Sequence, residues 1–188
     1  MKKFFQNRDK VVLLLLILGS INAFILFMMT YMVIPCLEDF GKGLPIIDIR
    51  FTGYTYPEML VYLRALGEPG IDMYLHQLMP LDLIFPLSYA AFLAVLLHAL
   101  HYFSFFRNTI SKALWQAPFY VAGFDYLENL CVWGMLIQYP HLNADLVAVS
   151  SFITLFKWFL MLITLTAVTY NFYLLVLGLL LKKRYNIK

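Results

Sequence analysis

The chain alternates between long apolar stretches and short polar connections. Residues 11–34 contain no charged side chain, and residues 83–103 contain no acid, lysine or arginine. Two further stretches are apolar apart from a few polar side chains. A helix needs about 20 apolar residues to cross a bilayer. The pattern predicts four membrane spans, at about 11–34, 82–103, 115–139 and 146–181.

The composition is typical of a membrane protein. The 188 residues are 62% hydrophobic and 13% charged, whereas soluble domains are about 45–50% apolar and about 25% charged. The first span is expected to remain as an anchor, because its apolar run exceeds the about 7–15 residues of a signal peptide and no A-x-A-like site follows. We therefore expect an all-α, polytopic membrane protein forming a single membrane domain over residues 1–188.

Lysine and arginine residues predict the orientation of the spans. They concentrate in the two tails and in the connection between the second and third spans: Lys2, Lys3, Arg8, Lys10, Arg107, Lys112, Lys182, Lys183, Arg184 and Lys188. The other two connections are acidic or lack basic residues. The positive-inside rule then places both termini in the cytoplasm. The net charge of +3 is thus a topology signal, and no nucleic-acid partner is expected. The predicted location is the plasma membrane, and the bacterial inner membrane is favoured because no organelle-targeting segment is seen.

The first connection, about residues 36–81, has a pattern of its own. It predicts an extended strand over residues 47–51, a helix from Thr55 to Gly67 and a short helix over residues 70–78. Thr55 and Glu58 have the spacing of a capping box, and Gly67 suits a helix C-terminus. The apolar stripes of these helices need a covering surface. We therefore expect a small extracytoplasmic helical cap on a four-helix bundle; the alternative is an amphipathic hairpin lying on the lipid headgroups.

Two of the predicted spans carry polar side chains at membrane depth. Asp125, Glu128 and Asn129 lie in the middle of the third span, and Lys157 lies in the fourth. Ionisable groups at this depth are costly, face the interior of a bundle and mark functional sites by default. These four residues are therefore the first candidates for a binding site.

Helical spacing brings Lys157 towards the third span. A polar or small residue recurs every seven positions along the fourth span: Ser150, Lys157, Thr164, Asn171 and Gly178. Such a stripe stays on one helix face and usually packs against other helices. A rise of about 1.5 Å per residue then predicts that Lys157 reaches Glu128 in the outer half of the bundle.

The first two spans add further candidates. Asp82, Pro86 and Tyr89 share a face at the outer end of the second span. The first span has a weaker stripe at Gly19, Asn22, Leu26 and Thr30, and its Asn22 matches the depth of Asp125. The candidate ligand- or proton-binding residues are therefore Asn22, Asp82, Tyr89, Asp125, Glu128, Asn129 and Lys157.

The charges of these candidates do not balance, because three acids face one lysine. A buried carboxyl without a partner tends to keep its proton. Such a group at membrane depth suits proton coupling, ligand binding or acid–base chemistry. We expect the cluster to bind a small amphiphilic or cationic ligand or protons, in a protein that is a homodimer if it transports them. The alternative is that these groups only hold the helices together.

Two other functions stay open. The chain would be an accessory or scaffold subunit of a larger membrane complex, or an intramembrane lipid-modifying enzyme. In the enzyme, Glu128 or Asp125 would act as general acid or base, and Lys157 would hold a developing anion. The sequence shows no nucleophile, metal or cofactor motif, so no cofactor is expected and whether the chain is an enzyme stays undecided.

The histidine pair is predicted to be interfacial, and no disulfide is predicted. His98 and His101 lie near the cytoplasmic end of the second span, and two ligands are too few for a closed zinc site. Cys36 and Cys131 are expected at different depths, so a disulfide between them is not expected.

A motif pair suggests a relationship. Asp-Leu-Ile-Phe-Pro at residues 82–86 with Tyr89, followed by Phe-Asp-Tyr-Leu-Glu-Asn at residues 124–129, resembles a pattern in small uncharacterised four-helix membrane proteins of bacteria. The resemblance covers most of the chain and implies no known activity. A looser analogy is with the emopamil-binding and sigma-2-like family, where inward carboxylates of a small bundle bind cationic amphiphiles or isomerise sterols. That analogy concerns the fold alone.

Overall fold

The computed structural model describes residues 6–104 and 114–185, with side chains as far as Lys182. Within these ranges lie six α-helices: α1 (Arg8–Phe27), α2 (Ile34–Phe40), α3 (Tyr56–Met73), α4 (Met79–Phe103), α5 (Ala117–Gln138) and α6 (Ala144–Tyr185). The described residues form no strand. The all-α prediction is therefore confirmed.

The extended strand predicted over residues 47–51 is wrong. Residues Ile47–Ile49 form a 3₁₀ turn. An alternating strand would send Ile46 and Ile47 to opposite faces, yet both side chains are buried, with 2% and 0% of their surface exposed. The turn lets both isoleucines enter one apolar core.

Three helical segments are long and apolar enough to cross a membrane: Arg8–Phe40, Tyr56–Phe103 and Ala144–Lys182. They support the assignment of the chain as a membrane protein. Helix α5 occupies the predicted third span, but it is not one of these three segments. Asp125, Glu128 and Asn129 lower the hydropathy of this helix.

Two π-helical turns join helices that would otherwise be continuous. Met28–Val33 links α1 to α2, and Tyr74–Leu78 links α3 to α4. Each turn is followed two residues later by a proline, Pro35 or Pro80. A proline has no N–H to donate, and its ring clashes with the carbonyl four residues earlier. In both cases that carbonyl lies inside the π turn, whose wider spacing relieves the clash.

Helix α3 begins at the predicted capping box and breaks at the predicted glycine. The Glu58 carboxylate accepts a hydrogen bond of 2.7 Å from the Thr55 backbone N–H. Gly67 has φ 61° and ψ −177°, which interrupts the helix. Residues 70–78 are helical, as predicted, but they continue through the π turn into α4 and do not form a separate short helix. Glu58 and Gly67 were thus correct as start and stop signals for the first helix only.

The largest apolar core lies at one end of the molecule. It joins α2, α3, the end of α5 and the start of α6, through residues such as Leu37, Tyr62, Met135 and Leu142. At the other end, Val11 of α1 packs against Ala99 of α4. Because the two cores lie at opposite ends of α1, that helix runs along the molecule from one to the other.

The described ends of the chain lie close together. Arg8 at the start of α1 and Leu179 near the end of α6 line the same cleft. Several basic residues that predict the orientation lie outside the residues whose side chains are described: Lys2, Lys3, Arg107, Lys112, Lys183, Arg184 and Lys188. Arg8, Lys10 and Lys182 are described, and all three are exposed.

Candidate functional site

Lys157 of α6 lies at the centre of a buried polar cluster. Its ammonium is 3.0 Å from Asp125 Oδ1 and forms a second ion pair with Glu128 Oε2, both on α5. The Lys157 and Asp125 side chains are about nine-tenths buried, and Glu128 is fully buried. The predicted Glu128–Lys157 contact is therefore confirmed. Asp125, about one turn from Glu128 along α5, joins the same ammonium.

Asp48 brings a further carboxyl from the turn between α2 and α3. The Tyr74 hydroxyl donates a 2.8 Å hydrogen bond to Asp48 Oδ2, and the Trp158 indole N–H donates to the Asp48 backbone carbonyl at 3.3 Å. The Lys157 ammonium lies 3.5 Å from the same carbonyl. Asp48 Oδ1 is buried without a hydrogen-bond partner. Burial raises the pKa of the Asp48 carboxyl, although Lys157 opposes the shift.

Hydroxyl groups complete the shell around the acids. Tyr89 of α4 donates to Asp125 Oδ2 at 2.8 Å, and Thr154 donates to Glu128 Oε1. Outside this shell, the Tyr54 hydroxyl donates to Ser150 Oγ at 2.7 Å. Burial raises the pKa of the Tyr54 hydroxyl, which therefore stays protonated and remains a donor. The ring of donors fixes the acids in place.

Asp82 and Asn129 lie on the α4–α5 side of the cluster. The Asn129 amide N–H donates to the Asp82 backbone carbonyl at 2.9 Å. The Asp82 side chain is 5% exposed and interacts electrostatically with Asp48, Asp125, Glu128 and Lys157. The face predicted for Asp82 and Tyr89 on the second span is thus confirmed, since both are buried.

The stripe predicted on the fourth span also faces inward. Its residues Ser150, Lys157, Thr164, Asn171 and Gly178 are all buried. The stripe predicted on the first span is wrong in part, because Leu26 and Thr30 are exposed. Its Asn22 is half-buried and forms hydrogen bonds with Ser88 of α4 at 2.9 and 3.0 Å. Asn22 therefore joins α1 to α4, and its described contacts do not include Asp125.

Sequence reasoning missed Asp48 as a member of the cluster. In the sequence, Asp48 is one of several acids in the predicted outer connection. A signal was present, because Asp48 stands between Ile46, Ile47 and Ile49, and an acid enclosed by apolar residues often points to burial. Tertiary packing determines which helices this connection crosses. The contact of Asp48 with Lys157 could therefore not be predicted from residue spacing.

The ion pairs of Lys157 are with Asp125 and Glu128, and they involve neither histidine nor cysteine. His98 makes an edge-on ring contact with Trp115. Cys36 and Cys131 are free thiols, as expected. Within residues 6–104 and 114–182, no group of three or more His, Cys, Asp or Glu side chains is arranged to hold a metal ion. The cluster itself offers carboxyl, ammonium and hydroxyl groups.

Comparison with protein-family models, with curated proteins and with solved structures finds no match to the chain. The function is therefore argued from the cluster itself. In the described residues, the carboxyls of Asp125 and Glu128 form ion pairs with the ammonium of Lys157, and those of Asp48 and Asp82 interact with it electrostatically. With every carboxyl ionised, the cluster would carry a net charge of −3. A buried site cannot hold that charge cheaply, so it favours the uptake of protons or of a cation.

Proposed function

We propose that this protein is a membrane-spanning four-helix bundle with a helical outer cap, and that its buried acidic cluster binds protons and exchanges them for the cationic head of a small amphiphilic ligand. One observation carries the proposal: four buried carboxyls interact with a single lysine, two of them as ion pairs and two electrostatically. A cluster that served only to hold helices together would be more stable with matched charges. The excess of acids is explained if a proton or a cation occupies the site.

The four-span arrangement has support from the positions of the chain ends. Arg8 and Leu179 line one cleft, which fits an even number of crossings through α1, α4, α5 and α6. Helix α5 would then cross with its polar side chains turned to the interior, as membrane helices carry them. The positive-inside rule places the shared end of the two tails in the cytoplasm.

The outer cap has support from the largest apolar core. Under the proposed topology, the connection between α2 and α3 and the turn between α5 and α6 lie on the outer side. Ile46, Ile47 and Leu142 from these segments share that core. Asp48 reaches Lys157 from the same connection, so the cap would separate the cluster from the outer aqueous phase.

Infrared spectroscopy of the purified full chain tests the proton-binding part. A protonated carboxyl has a C=O stretch that an ionised carboxylate lacks. We expect this band to persist at pH 7 in the wild-type protein and to shrink in Asp48→Asn and Asp82→Asn. The matched control is Asp39→Asn, because Asp39 is exposed on α2 and should leave the band unchanged. A wild-type spectrum at pH 7 without a protonated-carboxyl band would overturn the proposal.

A further inference from the structure

A cleft of about 500 Å³ opens beside the acidic cluster, between α4 and α5. Its walls include Leu83, Leu130 and Trp133, which are 58%, 63% and 46% exposed. In a membrane-spanning protein such exposed apolar walls contact lipid chains. The cleft has the size and apolar lining of a small-molecule site, and it opens sideways.

Asn129 lines this cleft and carries one unsatisfied acceptor. The residue is 4% exposed, and its Oδ1 atom is buried without a hydrogen-bond partner. The orientation of the amide is fixed, because its N–H donates to the Asp82 carbonyl, which can only accept. Buried acceptors are normally paired. A ligand in the cleft that offers an N–H or O–H donor would satisfy the hydrogen-bonding capacity of Asn129 Oδ1.

Acidic residues lie on two sides of the cleft. Asn129 bonds to the backbone carbonyl of Asp82 and follows Glu128 in the chain, and the carboxyls of both acids belong to the cluster. On the other side, a second cleft shares Leu75 with the first and is lined by Glu68 and Asp72. Acids on both sides favour a cationic donor over a neutral one.

We propose that the cleft between α4 and α5 binds a long-chain amine, which enters sideways from the bilayer, lays its apolar chain against Leu83 and Leu130, and donates an N–H from its protonated head to Asn129 Oδ1. This inference rests on the proposed function, since the cluster next to Asn129 supplies the negative charge. It adds the class of ligand, its route and the residue that selects its head group.

Binding of a radiolabelled probe tests the inference. The full chain is reconstituted in nanodiscs of zwitterionic phosphatidylcholine, and dodecylamine binding is measured against empty nanodiscs. Dodecyltrimethylammonium has the same chain and charge but no N–H, and dodecanol has a donor but no charge. We expect dodecylamine to bind most tightly, by about tenfold over each of the other two probes, because a hydrogen bond involving a charged group adds an effect of that order.

Two substitutions on one helix test the route. Leu83→Trp fills the cleft and is expected to weaken dodecylamine binding by about tenfold or more. Leu87→Trp is the matched control, because Leu87 lies one turn further along α4, is 60% exposed and is not among the cleft-lining residues. It should bind dodecylamine like the wild type. Both sites face outward, so the variants are expected to fold.

Asn129→Leu tests the head-group selection. It should abolish the preference for dodecylamine over dodecyltrimethylammonium while leaving the weaker binding of the latter. Equal loss of binding in Leu83→Trp and Leu87→Trp, or no loss in either, would overturn the proposed cleft. The proposed cleft would also be overturned if the wild-type protein shows the protonated-carboxyl band but binds no dodecylamine. That result would leave the proton-binding proposal intact. Loss of the band overturns the proposed function itself.

Discussion

At the scale of single residues, the cluster is asymmetric because one ammonium serves several acids. Lys157 forms ion pairs with both Asp125 and Glu128. Removing the lysine would leave buried carboxyls without a counter-charge, whereas neutralising one acid would leave the lysine with a partner. Removing one member of a buried pair typically costs about 3–5 kcal/mol. The loss of unfolding free energy should therefore be larger in the lysine variant than in a variant that neutralises one acid.

We expect Lys157→Met to lower the free energy of unfolding by about 3 kcal/mol or more at neutral pH, and Glu128→Gln to change it by about 1 kcal/mol or less. The glutamine still offers an oxygen to the Thr154 hydroxyl. The cost of Lys157→Met should shrink at lower pH, as the carboxyls take up protons. Denaturation followed by circular dichroism in detergent measures all three effects. Lys182→Met is the control, since Lys182 is exposed at the end of α6. Equal losses in the two single variants would instead indicate a simple one-to-one pair.

The Asp48 carboxyl should make stability depend on pH. Its pKa in the folded protein is raised by burial, so the folded chain holds this proton more tightly than the unfolded chain does. The contribution of Asp48 to stability is therefore greatest at pH values below its ordinary pKa of 3.8, and falls as pH rises through the raised value. Tyr74, Asp125 and Lys157 interact with Asp48 and shape this transition.

We expect Asp48→Asn to gain stability relative to the wild type as pH increases from about 4, by at most about 1.4 kcal/mol per pH unit. Denaturant unfolding at a series of pH values measures the difference. Asp39→Asn, on the exposed face of α2, should follow the wild-type curve. A constant offset between Asp48→Asn and wild type over this range would contradict the assignment.

The contacts of some cluster residues could be predicted from the sequence, and those of others could not. Glu128 and Lys157 could be paired in advance, because both lie on long helices where residue counting gives depth and face. Asp48 could not, since its position depends on where an irregular connection crosses α6. Asn22 was matched to Asp125 by depth alone, and depth does not determine which neighbour a helix face meets. It bonds to Ser88.

At the scale of elements, the connection between the first two predicted spans is shaped by a few backbone signals. The Thr55–Glu58 capping box and the break at Gly67 were readable because they depend on local geometry. The path after Gly67 was not, since a π turn preceding Pro80 carries the chain directly into α4. Short apolar segments such as residues 47–51 are ambiguous between strand and turn until their packing partner is known.

We expect Gly67→Ala to destabilise the protein by about 1–3 kcal/mol, because φ 61° with ψ −177° lies in a region that only glycine adopts readily. The cost comes from the backbone, since an added Cβ would meet only the Pro69 Cδ atom at an ordinary 3.7 Å. Gly123→Ala is the matched control. Gly123 is helical in α5, and an added Cβ would meet nothing within 4 Å, so this change should be neutral or slightly stabilising. Thermal unfolding of both variants measures the contrast, and equal midpoints would refute the strain at Gly67.

At the scale of the whole molecule, the number of crossings is the property on which the proposed function most depends. Three segments are apolar enough to span a membrane, and α5 becomes a fourth only if its acids face inward. Four crossings place the two ends of the chain on the same side, whereas three place them on opposite sides. The Arg8–Leu179 cleft favours the first arrangement, because it brings both ends of the chain together.

Labelling with a membrane-impermeant maleimide decides between these arrangements. In a background with Cys36→Ser and Cys131→Ser, single cysteines replace exposed residues of the two tails and of two connections: Gln6, Asp39, His141 and Lys182. With four crossings, Asp39→Cys and His141→Cys react in intact cells, while Gln6→Cys and Lys182→Cys react only after permeabilisation. If α5 stays on one side, Gln6→Cys and Lys182→Cys react under opposite conditions. That result would place Asp125 and Glu128 outside a membrane-spanning helix, and the burial of four acids would then need the cap alone to exclude water.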